Sequence, residues 1–91
     1  MLIEKTEAEK QLATFPGWEV SEGEIEKKFL FPSFLEAITF VNKVSTEAEK
    51  AQHHPDIDIR YSKVKISLAT HEEGGVTEKD IKLARIIDNL T

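Results

Sequence analysis

The chain has 91 residues, 40% hydrophobic and 32% charged, with a formal net charge of -5 and no cysteine. That length suits one domain, residues 1–91, and is too short for two. The acidic balance speaks against partners that need a basic patch, whether nucleic acid or an anionic membrane surface, and the absence of cysteine excludes disulfides, thiolate nucleophiles and cysteine-zinc centres. The opening MLIEKTEAEKQ has neither the basic region nor the apolar run of a signal peptide. No apolar stretch approaches the roughly 20 residues that span a bilayer, so a cytoplasmic location is expected.

In chain order, Thr6 and Glu9 have capping-box spacing and predict a short helix to about Ala13, broken by FPGW. Trp18 and Val20 alternate with polar residues, and SEGE supplies a turn. From Glu24 to Phe31 the residues Ile25, Phe29 and Phe31 share one strand face, with Lys27 the exception. Ser33 and Glu36 form a second capping box behind Pro32 and open the main helix. Its apolar stripe reads Phe34, Ile38, Val41 and Ala48, widened by Leu35 and Val44. Pro55 stops it, because a proline biases the preceding residue, His54, away from helical dihedrals.

Ile57, Ile59 and Tyr61 make one face of a third strand, and Ser62-Lys63 is its turn candidate. On a fourth strand Val64, Ile66, Leu68 and Thr70 face one way, and Lys65, Ser67, Ala69 and His71 the other. EEGG is a loop, and Thr77 with Asp80 starts a last helix whose buried side is Ile81, Leu83, Ala84, Ile87 and Leu90. The order α-β-β-α-β-β-α with short strand connections predicts an α+β fold: a four-stranded antiparallel sheet with three helices packed on one face.

Two of the three histidines, His53 and His54, stand side by side before Pro55. An imidazolium near a helix C-terminus interacts favourably with the helix dipole, which is the structural account of the pair. The functional account is convergence. If the third and fourth strands form a hairpin, their outer ends meet, and His53 or His54 approaches His71. Glu49, one turn before His53, is placed to hold that imidazole. Three histidines also invite a zinc site, but neighbouring rings at a helix end diverge and no HxH or HxxxH spacing occurs. Proton transfer near neutral pH is the better reading. Asp80 caps the last helix and, beside a histidine, can orient it as well.

EKAQHHPD, then Tyr61 and Val64, then THE at Thr70 to Glu72, then Asp80, together resemble the pterin-4a-carbinolamine dehydratase family. The resemblance runs upstream through Trp18 and the Phe-rich strand and covers essentially the whole chain. It implies an enzyme that removes water from 4a-hydroxytetrahydropterin to give quinonoid dihydropterin, with no metal and no separate cofactor. It implies three essential histidines at His53, His54 and His71, and a substrate pocket at His53, His54, Pro55, Thr70, His71, Glu72 and Glu73, partly through backbone groups. Supporting carboxylates fall at Asp80 and Glu49. The family assembles as homodimers or homotetramers, and animal members also serve as dimerisation partners for a homeodomain transcription factor. A non-catalytic dimerisation module that retains the pocket is therefore the alternative. Two departures from the family pattern are visible: Gln52 where an acid is frequent, and Ser62 where asparagine is common.

Overall fold

The computed structural model describes residues 1–91. Three helices, α1 (Lys5–Leu12), α2 (Phe34–Ala51) and α3 (Glu78–Asp88), accompany four strands, β1 (Glu19–Ser21), β2 (Glu24–Leu30), β3 (Asp56–Arg60) and β4 (Lys63–Leu68), and a 3-10 turn, His71–Glu73. The strands form one sheet in the order β1-β2-β4-β3, and every neighbouring pair is antiparallel. This is the expected α+β architecture in the expected order.

Register explains which face is covered. Ile25, Lys27 and Phe29 stand opposite Leu68, Ile66 and Val64, and Ile57 and Ile59 stand opposite Ile66 and Val64. Because side chains alternate along a strand, all of these point one way. The helices close over that face: Ala8 and Leu12 of α1, Ala37, Phe40, Val44 and Ala48 of α2, and Ile81, Leu83, Ala84 and Ile87 of α3 join Ile25, Phe29, Val64, Ile66 and Leu68 in one core. The other face carries Glu26, Lys28, Lys65, Asp58, Lys63 and Arg60 and stays open to water. No helix is long and apolar enough to cross a membrane.

Lys27, the polar interruption on the covered face, is resolved by its partners. Its ammonium donates to Asp88 Oδ1 at 2.5 Å and to the Pro16 carbonyl at 3.1 Å, and Trp18 Nε1 donates to the same Asp88 oxygen at 3.2 Å. The lysine stem crosses Gly17, whose φ is 111° and where a Cβ would lie 2.7 Å from Lys27 Cε. The charge thus ties the end of α3 to β2 and to the turn ahead of β1.

Three local expectations are corrected. The chain enters α1 at Lys5 with Glu4 in the capping position and no side-chain cap, so Thr6 lies within the helix. The reason is upstream: the Ile3 amide bonds the Val76 carbonyl at 2.8 Å, and the helix begins as soon as the chain leaves that tether. The buried stripe of α2 is Ala37, Phe40, Val44 and Ala48, rotated from the expected one, while Phe34 and Leu35 are 51% and 73% exposed. Alanines at two of the four positions let the helix sit close to the sheet, and Phe40 fills the space between Phe29 and Phe31 with ring centroids 4.7 and 5.0 Å away. The β3–β4 turn is Tyr61-Ser62, since Arg60 pairs with Lys63. The Phe31 amide bonds the Ser62 carbonyl at 2.9 Å and draws Lys63 into the strand, leaving Tyr61 in the left-handed region at φ 56°.

Candidate active site

The site is built at the C-terminal end of α2. Gln52 takes a left-handed conformation, φ 51° and ψ 40°. The His53 amide returns to the Ala48 carbonyl and the Gln52 amide to that of Glu49, both at 3.2 Å, which is the Schellman closure of a helix end. The reversal separates the two histidines. His53 swings under the helix, where its side chain is 11% exposed and Nε2 lies 2.5 Å from Asp80 Oδ1. His54 swings outward, its Nε2 2.5 Å from Glu49 Oε2 and its ring largely in water. Glu49 therefore holds His54 and not His53, as one-turn spacing had suggested. The helical relation between residues four apart ends where the left-handed residue intervenes.

Asp80 is 0% exposed. It occupies the third position of α3 and completes the expected capping box with Thr77, whose amide donates to Asp80 Oδ2 at 2.8 Å. The Thr70 hydroxyl donates to the same oxygen at 2.9 Å and lies 2.7 Å from the Thr77 hydroxyl. One carboxyl therefore starts a helix and holds a histidine. An ionised carboxylate only accepts hydrogen bonds, so the neutral imidazole of His53 carries its proton on Nε2. Nδ1 has no protein partner.

Thr70 reaches Asp80 because the chain folds back just after β4. Thr70 bridges Gly75 in antiparallel fashion, its amide bonding the Gly75 carbonyl at 2.8 Å, and the 3-10 turn His71–Glu73 fills the loop. His71 is thus on an exposed turn rather than on the end of β4, with no side-chain partner. Glu72 lies on the same exposed turn. Its carboxyl is held below the usual carboxylate range, chiefly by a backbone hydrogen bond, against a desolvation cost, and further by the charges of Lys79, His53 and His71. Glu73 accepts from the N-terminal amine of Met1 at 2.5 Å at the surface. Pro55 is half-buried behind the histidine pair.

His53 also lines a cleft of about 330 Å³ between α2 and α3, rimmed by Lys50, Lys79 and Lys82 and floored by Leu83 and Ile86. A depression of about 430 Å³ on the open sheet face, around Lys28, Lys63 and Lys65, contains no histidine and stands apart from this chemistry. The participation of Thr77 and of the Thr70 hydroxyl was not foreseen. A capping box is visible in sequence, but the Thr70–Gly75 bridge that brings a second hydroxyl to it is not.

The family model described as pterin 4 alpha carbinolamine dehydratase matches residues 1–90. A protein of Picosynechococcus sp., provisionally named a pterin-4-alpha-carbinolamine dehydratase, is 49% identical over 85 residues, covering 93% of this chain and 92% of its own. One of the same provisional name from Chloroflexus aurantiacus is 47% identical over 88 residues, covering 97% and 95%. Among solved structures, a transcriptional coactivator/pterin dehydratase from Brucella melitensis superimposes with a TM-score of 0.91 at 36% identity, over 97% of this chain and 96% of that one. A pterin dehydratase-like protein identified as a RuBisCO assembly factor in the alpha-carboxysome shares the fold, with a TM-score of 0.67 at 22% identity over 80% and 84%. The chain belongs to the pterin-4a-carbinolamine dehydratase family.

Proposed function

We propose that this member of the family is a dehydratase acting on 4a-hydroxytetrahydropterin by histidine acid–base catalysis. The reaction breaks the bond from ring carbon 4a to its hydroxyl, which takes up a proton and leaves as water. A ring nitrogen gives up a proton, and a carbon–nitrogen double bond forms, so the proton count balances. One group must act as acid and another as base. His53, oriented through Nε2 by Asp80, serves through Nδ1, and His71 serves as its counterpart from the 3-10 turn. His54, tethered by Glu49, holds the pterin with Pro55 and with the turn from Thr70 to Glu73. The Thr70 hydroxyl is engaged by Asp80 and Thr77, its amide by the Gly75 carbonyl and its carbonyl by the Glu73 and Gly74 amides, so that residue shapes the pocket wall and supports Asp80.

The observation that carries the reading is the buried His53–Asp80 pair, an oriented imidazole with one free nitrogen beside a cleft. The test is stopped-flow dehydration of the carbinolamine by the purified protein, before and after dialysis against a strong chelator. Acceleration that survives the chelator is expected. No acceleration, or acceleration that returns only with zinc, would overturn the reading.

Self-association accompanies it. Leu30, Phe34, Leu35, Ile59 and Tyr61 are exposed, and the Phe31–Ser62 bond places the β3–β4 turn beside the start of α2, so these residues share one end of the molecule. We assign the cytoplasm as the location and a homodimer or homotetramer as the assembly, built from one domain over residues 1–91. The same exposed cluster favours the second reading, a dimerisation module without turnover. The stopped-flow measurement separates the two.

A further inference from the structure

We propose that Thr77 and Thr70 are positioning residues, a one-way hydroxyl relay that fixes the proton of His53 on Nε2 and so leaves Nδ1 as the reacting nitrogen. The inference rests on the reading of His53 as a proton-transfer group, but half of its test needs no turnover.

The direction of the relay follows from counting donors and acceptors. The Thr77 oxygen accepts from the Lys79 amide at 3.3 Å, which is its duty as the helix cap. That leaves its own proton to place. Thr77 is 4% exposed, and the oxygen bonded to it is Thr70 Oγ1 at 2.7 Å. A buried hydroxyl that fails to donate carries a desolvation cost, so Thr77 donates to Thr70. Thr70, 1% exposed, then has its oxygen engaged and its proton aimed at Asp80 Oδ2, 2.9 Å away. The Thr77 amide fills the remaining approach to that oxygen at 2.8 Å. Oδ1 is left for His53. Lys79 N–H, Thr77 O–H, Thr70 O–H and Asp80 therefore form a chain with one polarity.

Capping alone does not require this. A cap needs only an acceptor at Thr77, and any oxygen would serve. The second half of the relay has a different consequence. The opposite His53 tautomer, with the ring proton on Nδ1, needs Asp80 neutral, with its proton on Oδ1 and donated to Nε2. With the Thr77 proton on its oxygen, Thr70 spends its own proton on Oδ2, and two donors on that oxygen, the Thr70 hydroxyl and the Thr77 amide, favour the ionised carboxylate over the neutral acid. The relay thereby weights the pair toward ionised Asp80 and Nε2–H, and against the arrangement in which Nδ1 is blocked.

The experiment uses the full chain labelled with ¹⁵N-histidine, as wild type, Thr70→Val, Thr77→Val, the double valine variant, and Thr77→Ser. Long-range ¹H–¹⁵N correlation spectra, taken where His53 is neutral, report which nitrogen bears the proton. Wild type and Thr77→Ser should show Nε2–H alone. Thr70→Val should show a mixture, with about a tenth or more Nδ1–H, in a protein whose circular dichroism matches wild type. Each single valine change should lower kcat about 10- to 100-fold, the range for groups that orient a working imidazole, with KM within a few-fold. Because Thr77 acts through Thr70, the double variant should lose no more than the larger single loss. An unchanged tautomer in Thr70→Val would overturn the proposal, as would losses that multiply in the double variant. If Thr77→Val does not fold, Thr70→Val against Thr70→Ser decides the same point, with mixing expected only in the former. An inactive wild type whose tautomer still shifts in Thr70→Val would keep the relay and remove the dehydratase reading.

Discussion

Replacing Asp80 by asparagine separates the two duties of that side chain. The change keeps its size and one oxygen. The Thr77 amide and the Thr70 hydroxyl, at 2.8 and 2.9 Å, claim that oxygen. The new amide nitrogen then sits where Oδ1 was, 2.5 Å from His53 Nε2, and turns a donor toward it. The ring must accept at Nε2 and move its proton to Nδ1. The nitrogen assigned to the chemistry becomes blocked, and no carboxylate remains to stabilise the imidazolium. The expected fall in kcat is about 10²–10⁴-fold, or roughly 2.7–5.4 kcal/mol of transition-state stabilisation; the same change in a serine-protease triad gives a loss near the upper value. Folding should suffer much less. One hydrogen bond of about 1 kcal/mol is altered, and a charge worth about 0.3–1 kcal/mol is lost from the first turn of α3. A deficit of about 1–2 kcal/mol follows, read as the urea midpoint. Stopped-flow turnover gives the rate, and circular dichroism at the assay temperature gives the fold. A rate within threefold of wild type would refute the argument and leave Asp80 as a helix cap only. Asp80→Ala is a poorer probe, because it strands three buried donors at once.

His53→Ala and His71→Ala should each slow turnover about 10²–10⁴-fold with fold intact, and the double variant should fall short of the product, since both groups act on one transition state; rates within a few-fold of wild type would make these histidines structural. Lys27→Met leaves Asp88 with the Trp18 N–H alone and should cost about 2 kcal/mol by urea titration, less than a fully buried pair because both side chains are about one-fifth exposed. Glu72 has a carboxyl held below its ordinary value of 4.5, so near that pH the unfolded chain binds more protons than the folded one and stability rises with pH. Its contribution is present above 4.5 and disappears as pH falls through the folded value, so the urea midpoints of wild type and Glu72→Gln should differ at pH 7 and converge in acid. Light scattering at micromolar concentration should report a dimer or tetramer, and a monomer throughout that range would refute the self-association drawn from Phe34 and Leu35.

The fold was legible where periodicity and burial agree. The alternation Val64, Ile66, Leu68 and the spacing Ile81, Ala84, Ile87 each had one low-energy solution, and all six residues are buried. Lys27 showed up as an anomaly on its strand, but its partner Asp88 lies 61 positions away and no local pattern links them. The stripe of α2 was misplaced for a related reason. Hydrophobicity ranks Phe34 and Leu35 above Ala37 and Ala48, whereas packing against a sheet rewards the small residues that let Phe40 reach between Phe29 and Phe31.

The site was legible in its parts, while their pairing depended on backbone conformation. The sequence places Glu49 one turn before His53, and on an ideal helix the two would meet. Gln52 breaks that relation by turning left-handed at a position that glycine occupies more readily. Holding a non-glycine residue there costs about 1–3 kcal/mol, offset by two Schellman bonds and by the Gln52 side-chain amide, whose Nε2 donates to the Glu49 carbonyl at 2.8 Å. The outcome of that local balance is chemical. A helix that ran on for one more residue would set His53 beside an exposed glutamate, in water. The reversal sets it instead beside a fully buried aspartate whose other oxygen is already engaged. Asp80 can be buried there because α3 needs a carboxylate at its third position in any case. Helix capping thus provides one of the three hydrogen bonds that this buried carboxylate accepts, the Thr70 hydroxyl the second and the histidine the last.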